Sequence, residues 1–302
     1  MGDNTGIEWT DATWNPTTGC TKVSQGCKHC YAERDWPRLV HLPAHQGREF
    51  TDVACHPERL DQPLRWKKPR RIFVNSMSDL FHEDIPDEFI EQVFAVMALC
   101  PQHIFQVLTK RPERMRKHPI FTHSGNCLWV GVRQCAEKLF GKDPGALNKD
   151  LLNVHIGVSV EDQFTADERI PLLLQTPAVV RWISAEPLLG PIDLRLGRLA
   201  EWNRLLAVHK GNTDGTHIHW VVAGGESGPK ARPSHPDWFR SLRDQCKAAG
   251  VPFLFKQWGE WGGDAILKAA GLREFDDSGI DGYNDKFGEK MVSHWVQWND
   301  AE

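Results

Sequence analysis

Six short apolar runs, each ending abruptly in polar residues, constrain this chain more than any other feature. They are "RIFVNSMSD" (71–79), "HIFQVLTKRP" (103–112), "NVHIGVSVED" (153–162), "AVVRWISAEP" (178–187), "HWVVAGGESGP" (219–229) and "VPFLFKQWGEW" (251–261). Their cores are rich in Val, Ile, Phe and Trp, the composition of strands buried on both faces. A further strand is expected near "IEWTDATWN" (7–15). Between the runs lie helical segments. "PDEFIEQVFAVMALC" (86–100) carries Phe89, Ile90, Val93, Phe94 and Met97 at the spacing of one helical face. "HPDWFRSLRDQCKAAG" (235–250) ends on a glycine suited to a C-cap. "DQFTADERIPLLLQT" (162–176) is a weaker helix interrupted by Pro171.

Strand, helix, strand at intervals of about 25 to 50 residues predicts βαβ units and a parallel sheet. Such a sheet closes wholly or partly into an α/β barrel, or stays open and doubly wound. Either way, the residues at the carboxyl ends of the strands gather on one side. Those residues are Asn75, Ser76, Ser78 and Asp79; Thr109 and Lys110; Ser159 and Glu161; Ser184 and Glu186; Gly224, Gly225 and Glu226; Lys256 and Gln257. The stretch 117–152 reads as an insertion, with an extra strand expected at "CLWVGV" (127–132). All 302 residues are expected to form one domain around this barrel.

Composition excludes some classes. A net charge of −4 is not that of a broadly basic nucleic-acid-binding body. Two local basic segments, "KKPRR" (67–71) and "KRPERMRKH" (110–118), are phosphate-binding candidates, or else a solvated charged face. The start of the chain lacks the basic and apolar regions of a secretory signal, and no apolar run reaches the roughly 18 to 20 residues of a membrane span. A cytoplasmic protein is expected. Its eight cysteines are therefore not a disulfide framework.

Three of those cysteines, Cys20, Cys27 and Cys30, crowd into "NPTTGCTKVSQGCKHCYAE" (15–33), directly after the first expected strand. A structural zinc site needs a fourth ligand, for which His29 and His56 are the candidates, yet the chain has no second Cys-x-x-Cys knuckle. A thioredoxin-like motif leaves Cys20 unexplained. A [4Fe–4S] cube held by three thiolates keeps one iron open for a substrate or cofactor. Gly19 and Gly26 suit a loop that wraps closely around such a cube.

This arrangement resembles the radical S-adenosylmethionine (SAM) superfamily, although the spacing C-x6-C-x2-C departs from its usual C-x3-C-x2-C. A more detailed resemblance runs through "IEWTDATWNPTTGCTKVSQGCKHCYAE", "VNSMSDLFHEDIP", "VLTKRPERM", "IGVSVED", "WISAEPLLGPI", "VVAGGESGPKARP" and "FLFKQWGEW". These segments resemble three-cysteine-motif proteins of phages, a family of unknown function related to spore photoproduct lyase.

The resemblance implies a radical SAM enzyme whose partial or full parallel barrel carries the cluster loop after strand one. Cys20, Cys27 and Cys30 would be the metal ligands. His29 would pack near the adenine. Ser76, Ser78 or Asp79 would take the place of the superfamily's methionine-amine contact. Lys110 would meet the methionine carboxylate, Ser159 the ribose or carboxylate, and Glu161 and Glu186 would accept from hydroxyls or an ammonium. Gly224, Gly225, Lys256, Gln257 and Trp258 would face substrate, with Tyr31 and Glu226 in catalytic roles. A flavodoxin- or ferredoxin-type protein would donate the electron. The implied substrate is DNA or a modified nucleotide, such as a glycine-modified thymidine to be isomerised; with DNA, the basic segments 67–71 and 110–118 would flank the mouth. The alternative from another class is a zinc-stabilised nucleic-acid-binding or adaptor module.

Overall fold

The computed structural model describes residues 5–43, 45–122, 127–141, 151–196 and 217–261. They fall into two compact units, one of Met1–Val160 and Phe164–Ser184, the other of Glu161–Gln163 and Ala185–Glu302.

The first unit opens with β1 (Ala12–Trp14) and β2 (Thr17–Thr18), then the cysteine loop and α1 (Tyr31–Leu39). β3 (Ala54–Cys55), α2 (Gln62–Arg65), β4 (Arg71–Val74), α3 (Asp87–Ala98) and β5 (Ile104–Thr109) follow. Next come α4 (Pro112–Lys117), α5 (Pro119–Thr122), α6 (Cys127–Phe140), β6 (Val154–Ser159), α7 (Gln163–Gln175) and β7 (Val180–Ala185). Strands β1, β4, β5, β6 and β7 pair in that order, all parallel. β2 and β3 form a separate antiparallel ribbon beside Cys20. Every residue of β6 is buried, the polar His155 and Ser159 included, as in a strand covered on both faces.

The second unit holds β8 (Trp220–Gly224), α8 (Pro236–Ala249) and β9 (Phe253–Gln257), with β8 and β9 parallel. α8 begins with Pro236 after His235, whose ring nitrogen accepts from the Asp237 amide, and ends at Gly250 with φ of 69°. Both ends thus follow the Pro-first, Gly-last asymmetry of helices. The fold class is α/β, and parallel strands adjacent in chain order are the arrangement of a partial (β/α) barrel.

All seven expected strands form where the apolar runs lie, and α3 buries Phe89, Ile90, Val93, Phe94 and Met97 as the periodicity predicts. Two expectations need correction. Residues 127–132 are not a strand; they open α6. The later turns of that helix decide the matter: Val132 and Ala136, one turn apart, are both buried, and Gly131 sits against the Glu91 side chain of α3. The helix at 163–175 also runs through Pro171 without a break. Residues 123–126 and 142–150 of the expected insertion lie outside the described residues.

Candidate functional site

The cysteine loop is built onto the carboxyl ends of β1, β4 and β5. Asn15, just past β1, accepts from the Ser76 hydroxyl and the Met77 amide, both at 3.2 Å. Thr17 and Ser78 bond hydroxyl to hydroxyl at 2.7 Å, and Ser78 also donates to the Thr17 carbonyl. Gly19 then has φ of 86°, and a Cβ there would meet the Asp52 carbonyl at 2.5 Å, so no other residue fits this approach. The Cys20 amide donates to the Phe50 carbonyl. Cys27 ends a single 3-10 turn entered from Ser24, and Cys30 stands immediately before α1.

All three thiols are partly buried. Cys20 and Cys30 pack against Ala32, Trp36 and Phe50, which screen them from water. Burial pushes the Cys20 thiol up to about 11, with Asp79 adding to the effect and Arg111 opposing it. Burial likewise raises the Cys30 thiol, while the amides of Glu33 and Ala32 and the charge of Lys110 pull against the rise. The charge of Cys27 acts to raise both of the others. Among the described residues, no three His, Cys, Asp or Glu side chains converge as a preformed ion site. A single ion demands donors around one point. A cubane cluster takes each thiolate at a different iron, so its ligands converge on three corners of one small cube rather than on a single point. Three soft thiols, of which Cys20 and Cys30 are shielded and have Arg111 and Lys110 beside them, are the donor type such a cluster takes.

The expected site residues of this unit lie on the same side. Lys110 at the end of β5 donates to the Ser159 hydroxyl at the end of β6. Tyr31, half exposed, donates its hydroxyl to the Ser76 carbonyl. Asp79 is buried and saturated. Its Oδ1 accepts from Thr109 Oγ1 at 2.7 Å and the Phe81 amide at 3.0 Å. Its Oδ2 accepts from the Lys110 amide at 2.9 Å and Arg111 Nη1 at 3.4 Å. His29 lies partly buried between the second and third cysteines.

A residue not singled out from the sequence, Arg111, is the centre of this arrangement. It is 6% exposed and reaches Cys20 Sγ, Thr21, Asp79 and Glu83 together. Burial works against its charge, but Asp79, Cys20 and Glu83 outweigh it and raise its pKa. Its sequence signals were its place in the basic segment 110–118 and its position between a strand-end lysine and a helix-opening proline.

Within the second unit, Glu186 Oε1 accepts from Lys256 Nζ at 2.7 Å and Gln257 Nε2 at 3.4 Å. Gly224 leaves room for that carboxylate, since a Cβ there would stand 3.1 Å from Oε1. Glu226 is buried, with both oxygens held by Arg232 at 2.6 and 3.0 Å. Gly225 passes under the Trp258 carbonyl, and the Trp258 ring packs edge-on against Phe239 and Phe255. The Glu161 side chain is fully buried, and its carbonyl accepts from the Leu189 amide.

The basic segments do not both reach the cysteine loop. Arg71 opens β4 and pairs with Asp11 ahead of β1, so 67–71 lies at the amino ends of the strands, opposite the loop. Arg70 there stacks on Trp66. From 110–118, Lys110 and Arg111 are committed at the site, while Arg114 and Lys117 pair with Asp87 and Glu113.

Fold and site together define an α/β protein with thiols and a lysine–serine pair at the carboxyl ends of parallel strands. The chain belongs to the family described as "Protein of unknown function (DUF5131)", which matches residues 4–284. No curated protein and no solved structure matches it. Among the described residues no helix is long and apolar enough to cross a membrane.

Proposed function

We propose that this protein is a radical SAM enzyme in which Cys20, Cys27 and Cys30 hold a [4Fe–4S] cluster. The observation that carries the reading is the grouping of three thiols on the loop after β1, Cys20 and Cys30 shielded by Trp36 and Phe50, beside Lys110 and Ser159 at the next strand ends. The chemistry that a [4Fe–4S] cluster and SAM would supply there is reductive cleavage to a 5′-deoxyadenosyl radical for hydrogen abstraction.

The chain's own residues bind, orient and exclude water. Lys110 presents a cation beside Cys30, suited to the carboxylate of an amino-acid moiety, and Ser159 holds its ammonium in place. Trp36 and Phe50 keep water from the sulfur side of the loop. Asp79 accepts from four donors at once, so its part in this reading is to fix the ends of β4 and β5. Glu186, Lys256, Gln257 and Ser227 form a polar network at the β8 and β9 ends that suits a hydrogen-bonding substrate.

The proposed substrate class, a glycine-modified thymidine undergoing isomerisation, rests on the resemblance to phage proteins. The position of 67–71 withdraws one basic segment from any DNA surface around the loop. The proposed electron donor is a flavodoxin- or ferredoxin-type protein.

Anaerobic reconstitution with iron and sulfide tests the reading. It should produce a brown protein with a [4Fe–4S] complement of iron and a broad iron–sulfur charge-transfer band. The Cys27→Ala variant should lose both. Dithionite and SAM should then yield 5′-deoxyadenosine. A colourless protein that binds one zinc and no iron would sink the proposal.

A further inference from the structure

The six residues between Cys20 and Cys27 have a structural use. Thr21 is held twice over: its carbonyl and hydroxyl oxygens accept from Arg111 Nη2 at 3.1 and 2.9 Å, and the hydroxyl lies 2.7 Å from His82 Nε2. Further along, the Ser24 and Gln25 carbonyls accept from the Cys27 and Lys28 amides, forming the turn that carries Cys27. The gap therefore divides into an anchored part at Thr21 and a turned part at 24–28.

Arg111 joins the anchored part to Cys20 itself, with Nη1 3.5 Å from Sγ. The guanidinium is itself fixed by Glu83, at 3.0 and 3.2 Å from Nε, and by Asp79 Oδ2, which at 3.4 Å shares Nη1 with Cys20. A guanidinium is a rigid planar fork. Held by two carboxylates, it dictates where Thr21 and the Cys20 sulfur stand.

We propose that Arg111 is a positioning residue. It presets the Cys20–Lys28 segment in the metal-free chain and donates an N–H to the Cys20 sulfur when that sulfur is a cluster ligand. The second half rests on the cluster reading; the first half does not. A cation and a hydrogen bond at a ligand sulfur stabilise the reduced, more negative cluster and raise its potential.

Two measurements on the full-length chain test the two halves separately. In the metal-free protein, Arg111→Met should speed hydrogen exchange of the amides in 20–28 at least about tenfold, the worth of one lost charge-assisted hydrogen bond. Amides in β6 and α3 should keep the parent rate. Arg111→Lys, which keeps the charge and loses the fork, should loosen the segment too. Parent-like exchange in the Met variant would overturn the preset loop. Should that variant fail to fold, Thr21→Val removes only the hydroxyl bonds to Arg111 and His82, and should give a smaller acceleration confined to the same amides. No acceleration there would also overturn it.

In the reconstituted protein, a redox titration followed by electron paramagnetic resonance should find a lower potential in Arg111→Met. Arg111→Lys should restore it most of the way toward the parent value. A fully loaded Met variant with the parent potential would overturn the donor role. A parent chain that takes up no iron would overturn the cluster reading and the donor role with it, leaving the exchange result to stand or fall on its own.

Discussion

Replacing Asp79 with Asn isolates the anchor beneath the cysteine loop without changing its shape. The carboxylate is 6% exposed and accepts from a hydroxyl, two backbone amides and a guanidinium. All four partners are donors, so an amide group has no orientation that suits the site. With its NH2 in the place of Oδ2, it confronts the Lys110 amide and Arg111. With its NH2 in the place of Oδ1, it confronts the Phe81 amide and leaves Thr109 to rotate. Either way a buried backbone N–H loses its acceptor, at about 1–3 kcal/mol. Arg111 also loses a buried counter-charge, for which about 3–5 kcal/mol is usual. Glu83 remains 3.0 Å from Nε and offsets part of that second cost. The net expectation is a loss of about 3–5 kcal/mol, a large share of the roughly 5–15 kcal/mol by which domains are stable. Urea unfolding followed by tryptophan fluorescence should show a lower midpoint with an unchanged slope. A loss below about 1 kcal/mol would refute the reasoning, because it would mean that Asp79 is not the shared acceptor of these elements.

Three further outcomes are expected. Burial, with Arg59 adding its charge, lowers His56 from the ordinary 6.5 to about 4, against the opposing pull of Glu58. The unfolded chain therefore takes up the proton first, so this stability is complete above pH 6.5 and is lost as pH falls toward 4. The loss should be up to about 3 kcal/mol by urea titration, and His56→Gln should flatten it. Gly225→Ala would set a Cβ 1.9 Å from the Trp258 carbonyl oxygen, which is backbone and cannot step aside. It should lower the melting temperature by an amount equivalent to about 3 kcal/mol or more, and a neutral result would refute the close approach. Gly157→Ala would press on the Trp182 ring at 2.4 Å, a ring that already packs against Trp9. A cost of about 1–3 kcal/mol with altered near-ultraviolet circular dichroism should follow.

Much of the fold was legible because fully buried strands announce themselves locally. The run "NVHIGVSV" alternates, with Val154, Ile156, Val158 and Val160 on one face and Asn153, His155, Gly157 and Ser159 on the other, and β6 is buried at every position. The helical face of 86–100 was equally local. The run "CLWVGV" misled because six apolar residues suit a strand or a buried helix alike; the burial one turn apart at Val132 and Ala136 chose the helix. The expectation that "KKPRR" flanks the mouth is corrected by chain order, since a segment that precedes a parallel strand enters at its amino end.

The sequence by itself determined which residues could meet. Polar groups ending successive parallel strands gather on one side, so Ser76, Asp79, Lys110 and Ser159 were identifiable, as were the three crowded cysteines. It did not determine which of them are engaged and with what. Asp79 is spent on four donors, Glu226 on Arg232, and Arg111 reaches back across 91 positions to Cys20. Those partnerships join residues that share no local pattern, and they exist because the sheet brings the strand ends within hydrogen-bond reach. The tertiary structure alone decided that the long gap between Cys20 and Cys27 is an anchored segment.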